Sequence, residues 1–172
     1  MKHGYKLTLA VLIAAACLAW SAWTIYQKRN AATQKNLHLA AMVRLNEAIR
    51  SSLSDYYQAN TRYPKTLDDL RIDPAAAGAT ADILAGFSYK SGDKYYLISW
   101  SLQWADEPAQ THQEEAVKGK VMYVEEYIDE VLRTRTEYPE GLSNPDTRTE
   151  KQYRDGVPFS TTVYKNSRPV SQ

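Results

Sequence analysis

The apolar residues of this chain are concentrated at its start. From Leu7 to Tyr26 about twenty residues pass without a charge, a glycine or a proline. At ~1.5 Å per residue a helix of that length matches ~30 Å of hydrocarbon, so a transmembrane helix over 7–26 is predicted. Lys2 and Lys6 flank one end and Lys28 and Arg29 the other, with Trp20, Trp23 and Tyr26 as an aromatic belt. Beyond it, Leu37, Ala41, Leu45, Ala48/Ile49, Leu53 and Tyr56 recur at steps of three and four, the stripe of an amphipathic helix. Nothing interrupts the helical pattern from Leu7 to about Ala59, so one continuous helix is expected. Asn60 suits its C-cap, and Tyr63-Pro64 forces its end, because proline disfavours helical geometry in the residue before it.

After the helix, Thr66 to Leu70 reads as a short capped turn and Pro74 to Gly78 as an alanine-rich loop. Phe87–Lys90, Ser91-Gly92-Asp93 and Lys94–Trp104 read as a β-hairpin with rough apolar alternation. In Lys120–Arg135, Val121, Val124, Ile128, Val131 and Leu132 fit a helical face, although Val121–Val124 alone would suit a strand. A small echo favours the helix: Thr61-Arg-Tyr-Pro-Lys-Thr-Leu67 and Thr136-Glu-Tyr-Pro-Glu-Gly-Leu142 share four of seven residues. From Ser143 onward polar residues and proline dominate, and an irregular segment with at most an edge strand at Pro158-Phe159 and Val163-Tyr164 is expected.

Charge refines this picture. The net charge of +1 argues against a nucleic-acid partner. Six Lys/Arg precede the first acidic residue, Glu47, as a basic collar suited to lipid headgroups. From Asp106 to Glu140 ten Asp/Glu face four Lys/Arg, a stretch read mainly as a solvated face. The lone Cys17 excludes an internal disulfide and any multi-cysteine metal site.

Candidate chemistry is sparse. The sequence contains no Gly-rich phosphate loop, no G-x-S-x-G and no H-E-x-x-H, and His3, His38 and His112 are far apart. Asp68-Asp69 suits helix-dipole complementarity better than catalysis or Ca²⁺ binding. No enzymatic activity, catalytic residue, metal or cofactor is therefore expected.

The run Leu45-Asn46-Glu47-Ala48-Ile49, followed by Tyr56-Tyr57-Gln58-Ala59-Asn60-Thr61-Arg62-Tyr63-Pro64-Lys65-Thr66-Leu67, resembles the type IV pilin and type II secretion pseudopilin superfamily. Tyr56, Asn60, Tyr63, Pro64 and Leu67 carry the likeness. The resemblance implies an α+β fold, with a long N-terminal transmembrane-plus-amphipathic helix on a small antiparallel sheet. It also implies processing between Gly4 and Tyr5, and helix–helix assembly through Leu9, Leu12, Ile13, Ala16 and Ala19. Leu9 occupies the position where the family carries a glutamate, so the pairing of that carboxylate with a neighbour's N-terminal amine is lost.

The organisation that follows is a cytoplasmic leader (1–6), a transmembrane helix (7–26), a pilin-like soluble domain (27–142) and an irregular C-terminal segment (143–172). The protein is expected in the inner membrane as a single-pass protein, N-terminus cytoplasmic and C-terminal domain periplasmic. Its expected partners are membrane lipid and other pilin-like or secretion-system subunits, in a homo- or hetero-oligomer. Two alternatives are a non-polymerising bitopic accessory protein with a periplasmic binding domain, and a lipoprotein acylated at Cys17.

Overall fold

The computed structural model describes the backbone of residues 4–104 and 107–170, with side chains described from residue 15 onward. Helix α1 spans Gly4–Asn60 and α2 spans Ala81–Ala85, and single 3-10 turns lie at Leu67–Asp69 and Ala75–Ala77. The strands are β1 (Phe87–Ser91), β2 (Tyr95–Leu102), β3 (Gln110–Val117), β4 (Lys120–Ile128), β5 (Val131–Glu137), β6 (Arg148–Arg154), β7 (Val157–Lys165) and β8 (Arg168–Val170). They form one eight-stranded sheet in chain order, with every neighbouring pair antiparallel. The chain divides into two compact units, Met1–Ala40 and Ala41–Gln172.

In the first unit α1 exposes its large apolar side chains: Leu18, Trp20, Trp23, Ile25 and Tyr26 are all more than half exposed. Among the described residues no helix is long and apolar enough to cross a membrane. The expected single-pass span and its inner-membrane location are corrected accordingly.

In the second unit the α1 row Ala41, Met42, Leu45, Ile49 and Leu53 is buried, against a core that also contains Tyr96, Ile98, Trp100 and Leu102 of β2. The alternation in Tyr95–Leu102 puts every second residue of β2 inside, as the hairpin reading expected. The helix stops at Asn60, whose side-chain N–H donates to the Tyr56 carbonyl (2.9 Å). Thr61 then turns left-handed (φ 57°), and its N–H donates to the Tyr57 carbonyl at 2.7 Å. A β-branched residue is disfavoured there, because the left-handed region costs L-residues about 1–2 kcal/mol. Thr61→Gly is expected to stabilise the protein by about 1 kcal/mol, read as a rise in urea midpoint at unchanged slope.

The sheet is large rather than small, which corrects the expected fold class within an α+β architecture. Lys120–Arg135 is not a helix: it forms β4, a turn and β5. Residues 143–172, expected to be irregular, contain β6, β7 and β8. Four two-residue turns explain the difference. Lys118-Gly119, Asp129-Glu130, Asp155-Gly156 and Asn166-Ser167 all carry positive φ at both positions, the geometry of tight hairpin turns whose twist suits paired strands. The second Tyr-Pro segment follows a strand and is fastened by backbone bonds, Tyr138 N–H to Met122 O (2.7 Å) and Leu142 N–H to Val121 O (2.9 Å).

Candidate functional site

Tyr63-Pro64 joins the helix exit to the sheet. Tyr63 is buried, its hydroxyl accepts the Gly119 N–H at 2.8 Å, and its ring packs 4.7 Å from Tyr57 and edge-on 5.0 Å from Tyr96. The Pro64 carbonyl accepts from the Tyr89 hydroxyl (3.0 Å) and from Ser91 Oγ (2.7 Å). The tyrosine and proline thus tie α1 to β1, β2 and the β3–β4 turn. Burial pushes the Tyr89 hydroxyl up to about 12, so it stays a neutral donor. Tyr56 and Leu67 are half-buried beside this joint, and Asn60 is exposed at the helix end.

A second constellation is centred on Glu114 of β3, whose side chain is fully buried. Its carboxylate accepts from Asn46 Nδ2 at 2.7 Å, from Arg50 Nη2 at 2.5 Å and Nε at 3.1 Å, and from His112 Nε2 at 2.9 Å. The other imidazole nitrogen, Nδ1, lies 2.6 Å from Glu126 on β4, and the ring stacks on Trp100 at 5.0 Å. Asn46 and Arg50 are one helical turn apart on α1, and His112 and Glu114 are alternate residues of β3, so each element presents both groups on one face.

Two cations and two carboxylates alternate in this chain of contacts, so it is neutral as a whole. Burial alone would depress the His112 pKa, but hydrogen bonds to Glu114 and Glu126 outweigh it and raise it to about 9. Burial likewise opposes ionisation of Glu114, yet His112 and Arg50 hold its carboxyl below the usual range. An isolated carboxylate in such a place would cost several kcal/mol; here its lone pairs are filled.

The remaining acidic residues of the Asp106–Glu140 stretch are mostly paired on the sheet rather than spread over a helical face. Glu125, also buried, accepts from Arg135 Nη1 (2.9 Å), Gln113 Nε2 (3.2 Å) and the Tyr127 hydroxyl (2.7 Å). Glu115 accepts from the Tyr123 hydroxyl, and Glu137 pairs with Lys151 at 2.9 Å. Arg135 also lies 4.3 Å over the Tyr123 ring. Among the described residues no group of His, Cys, Asp and Glu is arranged to hold a metal ion.

Of the residues singled out from sequence, Tyr63 and Pro64 meet the sheet, while Ala16 and Ala19 lie exposed on α1 in the first unit. The side chains of Gly4, Tyr5, Leu9, Leu12 and Ile13 lie outside the described residues. Cys17 is a free, exposed thiol. Sequence reasoning missed Asn46, Arg50, His112 and Glu114; Asn46 and Arg50 at a four-residue spacing beside the apolar row were the available signal.

A long helix and an eight-stranded antiparallel meander define an α+β protein. No family model, curated protein or solved structure compared with the chain matches it.

Proposed function

We propose that this chain is a pilin-like or pseudopilin-like assembly subunit, built to pack α1 beside like helices in a pilus or secretion-system fibre. The observation that carries the reading is the exposed apolar surface of α1 in the first unit: Leu18 72%, Trp20 73%, Trp23 58%, Ile25 54% and Tyr26 61%. At 100° per residue these side chains point to several sides of the helix, so one partner helix would leave part of them wet. Covering each gains about 1.5–3 kcal/mol, and a fibre core surrounded by copies of the same helix covers all of them. The Tyr-Pro exit from α1 adds support through its likeness to the pilin pattern.

Ala16 and Ala19 are small enough for close helix approach, so a charge there opposes assembly without touching the second unit. Ala16→Glu is expected to abolish fibres in electron micrographs and sedimentation. The unfolding free energy of the second unit should stay within about 0.5 kcal/mol of the parent. Fibres of unchanged abundance in Ala16→Glu would overturn the reading, as would a parent chain that remains monomeric at high concentration.

A further inference from the structure

The apolar contact between α1 and the sheet resists sliding only in part. Its central row, Leu45, Ile49 and Leu53, advances by four residues at each step, and all three side chains are completely buried. Moving the helix along its axis by one turn, about 5.4 Å, exchanges leucine and isoleucine at two of the three places and brings Ala41 to the place of Leu45, or Tyr57 to that of Leu53, at the end of the row. Swaps of equal volume between such residues are tolerated in cores, typically at less than about 1.5 kcal/mol. Packing therefore discriminates between neighbouring settings of the helix only at the end of the row.

The polar row beside it is not repetitive. In order it reads Met42, Asn46, Arg50, Ser54. A slip in one direction sets Met42 and Asn46 against Glu114, so the carboxylate loses its guanidinium. A slip in the other sets Arg50 and Ser54 there and removes the Asn46 amide. Either movement leaves a fully buried carboxylate short of hydrogen bonds that are 2.5–3.1 Å long in the observed setting. Breaking a buried ion pair costs about 3–5 kcal/mol, which adds to whatever the end of the apolar row contributes.

We infer that Glu114 is a register lock: a positioning residue that reads Asn46 and Arg50 and fixes the axial and rotational setting of α1 on the sheet. His112 completes the lock from the sheet side and is itself held by Glu126. Rotation is fixed for the same reason, because Asn46 and Arg50 reach one carboxylate only from one azimuth. The setting decides which residues of this stretch are left outside, among them Val43, Glu47 and Asp55, all exposed. On the assembly reading, which this consequence alone rests upon, those residues are what the second unit's helix offers to a neighbouring subunit.

The test measures register in dispersed single chains, so it stands apart from assembly. In the full chain carrying Ala16→Glu and Cys17→Ser, spin labels are placed at Glu47→Cys on the outer side of α1 and at Ser88→Cys on β1, both exposed sites. The parent lock is expected to give one narrow inter-label distance. Asn46→Leu/Arg50→Met/Glu114→Leu removes the polar reader while keeping an apolar, foldable contact. It is expected to broaden the distribution or add a second distance displaced by about 5 Å, one helical turn.

A single narrow peak at the parent distance in the triple variant would overturn the inference. If the triple variant does not fold cooperatively, Glu114→Leu alone carries the same readout. Arg50 keeps 30% of its side chain in water and can turn outward there. An unchanged narrow peak in that variant overturns the inference equally. Loss of the assembly reading would show as fibres persisting in Ala16→Glu, or as no fibres in the parent, and would leave the distance measurement intact.

Discussion

Ile49→Ala is expected to lower the unfolding free energy by about 2–5 kcal/mol, the range for truncating a fully buried aliphatic side chain. Ile49 has no exposed surface and sits between Leu45 and Leu53, which are equally buried, in the middle of the helix row that faces the sheet. The loss combines the transfer free energy of the removed methylene groups with the void left behind. Helix and sheet are both held by their own hydrogen bonds and cannot fully collapse into that void. Urea unfolding followed by tryptophan fluorescence measures the effect, and the four tryptophans include Trp100 in the same core. A change below about 0.5 kcal/mol would mean that α1 does not close this core.

The second large effect is a pH dependence that belongs to His112. Its folded pKa, about 9, lies above the ordinary 6.5. The contribution to stability is therefore fully present below 6.5 and is lost as pH rises through 9. The interval corresponds to about 3 kcal/mol, little screened by water because the side chain is only 13% exposed. Glu114 acts at the other end: its folded carboxyl is held below the usual range, so its share is present above that range and disappears on acidification. Stability should therefore fall between pH 6.5 and 9.5 in the parent, and His112→Gln should remove most of that slope. Urea midpoints at the two pH values decide it; parallel slopes in parent and variant would exclude the role given to the histidine.

The helix and first hairpin were legible because their apolar residues repeat at the period of the element. Leu45, Ile49 and Leu53 mark a helix face, and Tyr96, Ile98, Trp100 and Leu102 mark a strand face. The strands from β3 onward have no such alternation. β3 reads Gln-Thr-His-Gln-Glu-Glu-Ala-Val, and its inward position at 114 is a glutamate because the helix opposite supplies Asn46 and Arg50. A core position filled by a matched polar group cannot be recognised until its partner is known. In β5–β8 no described residue is buried, so one-sided patterning is absent. The better signal lay in the turns, where Lys118-Gly119, Asp155-Gly156 and Asn166-Ser167 have the residue types that accept left-handed backbone. For the same reason the buried Glu114 group was hidden inside what looked like a uniformly acidic, solvated stretch.

The strictly sequential order of the sheet governs how the second unit can reach its native state. Each strand from β2 to β8 needs only the one made just before it, so no hairpin waits for a distant part of the chain. Short separations between contacting residues keep the entropy of loop closure small, which favours rapid zippering from one hairpin to the next. The distant commitments described are those of the helix and its exit, above all the meeting of Asn46 and Arg50 with Glu114, more than sixty positions along the chain. Docking of the helix, rather than growth of the sheet, is thus the step that must search.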